Sequence, residues 1–90
     1  MNANDLTTLL ELINEVINAP TKKDAKPLVN RLKSEATKIK PRINDPYLSN
    51  KLDEAIIYAE EASGRVTNKE HMEYCAKQSW YTFENGVIIR

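Results

Sequence analysis

The chain is poor in the residues that most chemistry requires. It has one histidine and one cysteine, so no internal disulfide can form and no paired metal-ligand motif exists. With two glycines, Gly64 and Gly86, it cannot build a phosphate-cradling loop. Four prolines and two glycines in 90 residues exclude collagen-like and low-complexity classes. No apolar run approaches the roughly 20 residues a membrane helix needs. The start, Met1-Asn2-Ala3-Asn4-Asp5, has no basic stretch leading into an apolar one and does not read as a secretory leader. A single thiol suits a reducing compartment, and the expected location is cytoplasmic.

What remains is an ordinary globular composition: 41% hydrophobic, 29% charged and a formal net charge of zero. That length suits a single helical domain spanning residues 1–90. The neutral total hides segregation. Residues 1–20 carry three acids and no bases, residues 21–43 eight bases and two acids, and residues 44–90 five bases and eight acids.

Four amphipathic helices follow from the apolar spacing. Leu6, Leu9, Leu10, Ile13, Val16 and Ile17 recur at helical intervals, with Asn2 or Asn4 as cap and Pro20 as terminator. Thr21 and Asp24 make a variant capping box for a second helix. Pro27 lies in its first turns, so regular helix can begin nearer Asp24, and Pro41 ends it. Asp45-Pro46 starts a third helix, with Leu48, Leu52, Ala55, Ile56, Ala59 and Ala62 on one face and Gly64 as C-cap. Thr67 and Glu70 form a capping box for a fourth, with Met72, Cys75, Ala76, Ser79 and Phe83 inward.

Asn85-Gly86 admits two readings: a C-cap ending a helix over 68–85, or a type I′ hairpin turn. The first is favoured, because the apolar pattern is unbroken to Phe83. The expected fold is therefore an all-α, four-helix antiparallel bundle with a short C-terminal tail at Val87–Arg90. That tail would fold back on the bundle or dock on a second copy. Three helices plus a C-terminal β-hairpin is the alternative.

Three features are candidates for function. His71 and Cys75 are one helical turn apart, the spacing of half a metal site or of a base beside a thiol. No second such pair exists, so the expectation is no metal, no cofactor and no enzyme. Adjacent carboxylates at Asp53-Glu54 and Glu60-Glu61 diverge by about 100° on a helix and do not converge on a substrate.

The second feature is the basic helix. Lys26, Arg31, Lys33, Lys38, Lys40 and Arg42 flank its apolar stripe and would form the footprint of a nucleic-acid-binding regulator. Against this, no aromatic interleaves with them, and the acidic first and third helices are natural neighbours.

The third is aromatic. Four of six aromatics lie between Tyr74 and Phe83. On a helical wheel Tyr74 and Tyr81 fall opposite the core, Trp80 falls at its border, and Ile57 points away from the core of the third helix. Tyrosine and tryptophan join apolar area to a polar tip and are enriched at interfaces. Tyr74, Tyr81, Trp80 and Ile57 are thus the candidate interface. The expected function is that of a small interaction protein of the immunity, accessory or adaptor kind. It would be homodimeric or docked on a protein partner, with no membrane association.

Overall fold

The computed structural model describes residues 3–89. Its helices are α1 (Ala3–Asn18), α2 (Lys22–Ile39), α3 (Pro46–Ala62) and α4 (Lys69–Ile89), with a 3₁₀ turn at Lys40–Arg42 between α2 and α3. The described residues contain no strand, so the hairpin alternative falls and the all-α bundle stands.

The local signals act largely as their chemistry dictates. Thr21 caps α2, its hydroxyl accepting from the Asp24 N–H at 3.0 Å. Pro27 is accommodated inside α2, where it removes only the bond to the Lys23 carbonyl on an exposed face, so α2 starts at Lys22 and not nearer Asp24. Asp45 accepts from the Tyr47 N–H at 2.9 Å, with Pro46 at the first helical position.

Gly64 follows the end of α3 with φ +64°. A Cβ there would stand 2.8 Å from the Lys22 nitrogen, so both conformation and space require glycine. Its N–H donates to the Ala19 carbonyl at 3.2 Å, joining the two loops at that end of the bundle.

The fourth helix departs from expectation at both ends. The Thr67 capping box does not form. Asn68 takes the left-handed conformation, φ 60°, and its carbonyl receives the first bond of the helix, from the Met72 N–H. At the other end, α4 does not stop at Asn85-Gly86 but runs through to Ile89. Over Val87–Ile89 the expected tail is the last turn of a helix; Arg90 lies outside the described residues.

Cross-links define the arrangement. Lys40 pairs with Asp53, Lys33 with Glu60, and Lys22 reaches the carbonyls at the end of α3, so α2 and α3 are antiparallel. Ser79 donates to Glu54, and Gly86 lies against Leu48, so α3 and α4 are antiparallel too. Arg42 meets Asp5 from across the first hairpin.

The third helix is central and touches the other three; α4 packs chiefly on it. One cluster of buried side chains runs through all four helices. On α3 it alternates small and large, Ala55, Ala59 and Ala62 with Leu48, Leu52 and Ile56; on α4 it holds the bulkiest, Trp80 and Phe83. Their ring centroids are 5.4 Å apart at 48°. Small beside large lets packed layers interdigitate.

Candidate partner-binding face

Because α4 lies at the side of α3, only part of its circumference is covered. Ala76, Ser79, Trp80 and Phe83 are buried, with Met72 and Val87 packed at their edges. The opposite side carries Tyr74 at 62% exposure, Tyr81 at 49% and Ile88 at 63%. These three are spaced seven residues apart and lie on one line of the helix, about 21 Å from end to end at 1.5 Å per residue. The line exists only because α4 continues past Gly86. Read as a tail, Val87–Ile89 gives Ile88 no defined direction; as helix, it places Val87 inward and Ile88 beside the tyrosines.

Between those three residues lie Lys77 and Glu84, with Glu70 one turn before Tyr74. None of these charges forms an ion pair among the described residues. The outward stripe is thus Glu70, Tyr74, Lys77, Tyr81, Glu84, Ile88, at alternating steps of four and three.

Trp80 does not belong to this face. Its ring is fully enclosed, at 0% exposure, and its indole N–H has no hydrogen-bond partner among the described residues. The wheel put it at the border of the core. The depth at which α4 beds against α3 widens the buried arc to include it.

Ile57 is exposed at 56% but stands elsewhere. It lines a groove of about 440 Å³ between α2 and α3, with Lys33, Ala36, Thr37, Lys40, Asp53 and Ile56. No residue of α4 contributes to that groove, so Ile57 and the tyrosines are separate features.

The basic residues of α2 and of the 3₁₀ turn that follows it, where Lys40 and Arg42 lie, are largely engaged within the molecule. Lys33 pairs with Glu60 at 3.9 Å, Lys40 with Asp53, Arg42 with Asp5 at 3.1 Å and Lys38 with Glu35 at 3.3 Å. Three of these four bonds cross to another helix, so the segregated charge acts in good part as an internal complement. Lys26 and Arg31 are exposed and make no ion pair among the described residues. Each surface pair contributes at most about 1 kcal/mol.

Other cations stabilise helix ends, a role that composition does not reveal. The Lys69 ammonium donates to the Ile17 carbonyl at 2.7 Å and the Ala62 carbonyl at 3.0 Å, joining the C-termini of α1 and α3. Arg65 Nε donates to the Glu61 carbonyl at 3.0 Å. Positive charge at a helix C-terminus meets the negative end of the dipole and carbonyls that have no partner in the helix.

His71 and Cys75 do come together, Sγ to Nε2 at 3.7 Å, on the half-exposed flank of α4. Among the described residues no three His, Cys, Asp or Glu side chains are grouped to hold a metal ion. Likewise no described helix is long and apolar enough to cross a membrane.

Comparison with protein-family models, with curated proteins and with solved structures returned no match. The reading of function rests on this geometry alone.

Proposed function

We propose that the chain works by binding protein, through the outward face of α4, and not by catalysis. The observation that carries this reading is the line Tyr74–Tyr81–Ile88: three large side chains, seven residues apart, each exposed over about half its surface or more, on a helix whose opposite face supplies the core. Single exposed apolar residues are common on any surface. Three in helical register along 21 Å are the pattern an interacting helix face requires. Tyrosine suits such a face because its ring is rigid and its hydroxyl remains hydrated before the partner arrives.

The internal pairing of Lys33, Lys40 and Arg42 favours this face over the basic helix as the binding surface. The lone thiol is consistent with a cytoplasmic interaction or regulatory protein.

Replacing Tyr74 and Tyr81 together by serine tests the reading. The helical circular dichroism and the unfolding midpoint should be nearly unchanged, because neither ring is in the core. The sedimentation mass, or the retention of a partner on immobilised protein, should fall. A double variant that matches the wild type in both assays sinks the proposal.

A further inference from the structure

The stripe on α4 has a property that its exposure alone does not convey: its charges complement themselves. We propose that the partner of this face is a second copy of the same chain. The two α4 helices would pair antiparallel about a twofold axis beside Tyr81, with Lys77 of each copy against Glu84 of the other. This deepens the reading of the α4 face given above and rests on it.

Helical register sets the pairing. Positions 74, 77, 81, 84 and 88 alternate steps of three and four, the spacing at which one helix presents a continuous seam to another. The apolar members, Tyr74, Tyr81 and Ile88, are symmetric about Tyr81. The charged members, Lys77 and Glu84, are symmetric about a point half a residue away. A single antiparallel register therefore satisfies both sets. It places Tyr81 beside its own copy, Tyr74 against Ile88 of the other copy, and Lys77 against Glu84 twice over.

Other registers lose one set or the other: centring on Tyr74 sets Glu70 against Lys77 but runs Tyr81 and Ile88 past the start of the other copy's α4 at Lys69. Parallel pairing sets Lys77 on Lys77 and Glu84 on Glu84. An antiparallel pairing centred on Lys77 sets lysine on lysine and Glu70 on Glu84. Like charges held opposite one another oppose association.

The rest of the molecule allows the pairing. Ala76, Ser79, Trp80 and Phe83 point into the bundle from the far side of α4, so two bundles would sit back to back. Among the described residues Lys77 and Glu84 have no ion pair of their own to surrender. A twofold contact is also the commonest form of self-association. Since a two-helix contact lies near the small end of specific interfaces, below about 1,200 Å² in total, the dimer should dissociate in the micromolar range.

Charge exchange tests the register. Sedimentation is run at roughly 100 µM, above the Kd expected of so small an interface, on wild type, Lys77→Glu, Glu84→Lys and an equimolar mixture of the two variants. The wild type should be dimeric. Each single variant turns both attractions into repulsions and should weaken pairing at least tenfold, so that on dilution from roughly 100 µM its dimer gives way to monomer at a concentration roughly tenfold or more above that of the wild type. The mixture restores both attractions and should recover the dimer mass as a heterodimer, which also shows that both variants are folded.

A monomeric wild type overturns self-pairing; if a foreign protein is then retained in a Tyr74- and Tyr81-dependent way, the α4 face still binds and only its partner changes. Single variants that dissociate at the same concentration as the wild type, where Tyr74→Ser with Tyr81→Ser dissociates sooner, overturn the antiparallel register and leave the face standing.

Discussion

The isobutyl group of Leu48 occupies the space that a side chain at Gly86 would need. A Cβ built on Gly86 would lie 2.8 Å from Leu48 Cδ1 and closer still to Cδ2. Leu48 is itself buried at the start of α3. The glycine is thus neither a turn nor a cap but a notch in α4 that lets the two helices approach.

This makes a test in which the sign of an effect reverses. Gly86→Ala gains about 1 kcal/mol of helix propensity and meets overpacking of about 1–3 kcal/mol. The net expectation is destabilisation by about 1 kcal/mol. In a Leu48→Ala background the obstruction is gone, and the same substitution should stabilise by up to about 1 kcal/mol. Urea unfolding of the four proteins measures the cycle. Equal effects in both backgrounds would show that the notch has no role.

Lys69 ties together two helix ends that sequence separates widely. Lys69→Met keeps most of the aliphatic stem and loses both carbonyl bonds. Hydrogen bonds to a charged donor contribute about 1.5–3 kcal/mol when well sheltered, and this ammonium is partly exposed. The expected loss is about 1–2 kcal/mol, a fall in Tm of roughly 5–10 °C for a chain of this size. Lys23→Met, at an exposed lysine of the same helical bundle, should change stability by less than about 0.5 kcal/mol. Matching thermal melts for the two variants would refute the assignment.

Glu54 is held by two donors, Lys51 Nζ at 3.0 Å and Ser79 Oγ at 3.3 Å. The Lys51 hydrogen bond pulls its carboxyl below the usual value, outweighing the opposing effect of burial. Reciprocally, the bond to Glu54 raises the Lys51 ammonium. A depressed carboxyl stabilises the fold above its unfolded pKa, about 4.3, and this contribution is lost as pH falls through the folded value. A raised ammonium contributes fully below its unfolded pKa, about 10.4, and loses that contribution as pH rises through the folded value. The gap in urea midpoint between wild type and Glu54→Gln should therefore be constant at neutral pH and close below about pH 4. A gap that ignores pH over this range would show that the network is not electrostatic.

Much of the bundle is legible in the sequence because its signals are local. Thr21 and Asp45-Pro46 mark boundaries through hydrogen bonds within a few residues, and Gly64 through its positive φ, although the space that also demands glycine there is set by the distant Thr21 and Lys22. The α4 end is different. Asn85-Gly86 carries the local chemistry of a stop, yet the reason for glycine is Leu48, thirty-eight positions earlier. Helical propensity around a single glycine is overridden by the packing of its neighbours.

The candidate face divides in the same way. Tyr74 and Tyr81 are outward by periodicity alone. Ile88 cannot be placed until the course of the last turn is known. Trp80 changes class because the width of a buried arc depends on how deeply helices nest, which a wheel does not contain. The charge complement between α2 and its neighbours is visible as segment totals, but the partners Glu60, Asp53 and Asp5 depend on which helices become adjacent.

Trp80 is the sole tryptophan, and its buried N–H has no acceptor among the described residues. Two effects of Trp80→Phe then oppose each other. Loss of part of the ring leaves a void, while loss of the N–H removes an unsatisfied donor that costs about 1–3 kcal/mol. The expected result is a protein within about 1 kcal/mol of wild type. Trp80→Ala keeps no compensation and should lose about 3–5 kcal/mol, much of the total stability of a small domain. Urea midpoints followed by circular dichroism decide the matter, since the variants lack the indole reporter. A Trp80→Phe cost approaching that of alanine would mean that the N–H is bonded in solution, with an ordered water as its acceptor.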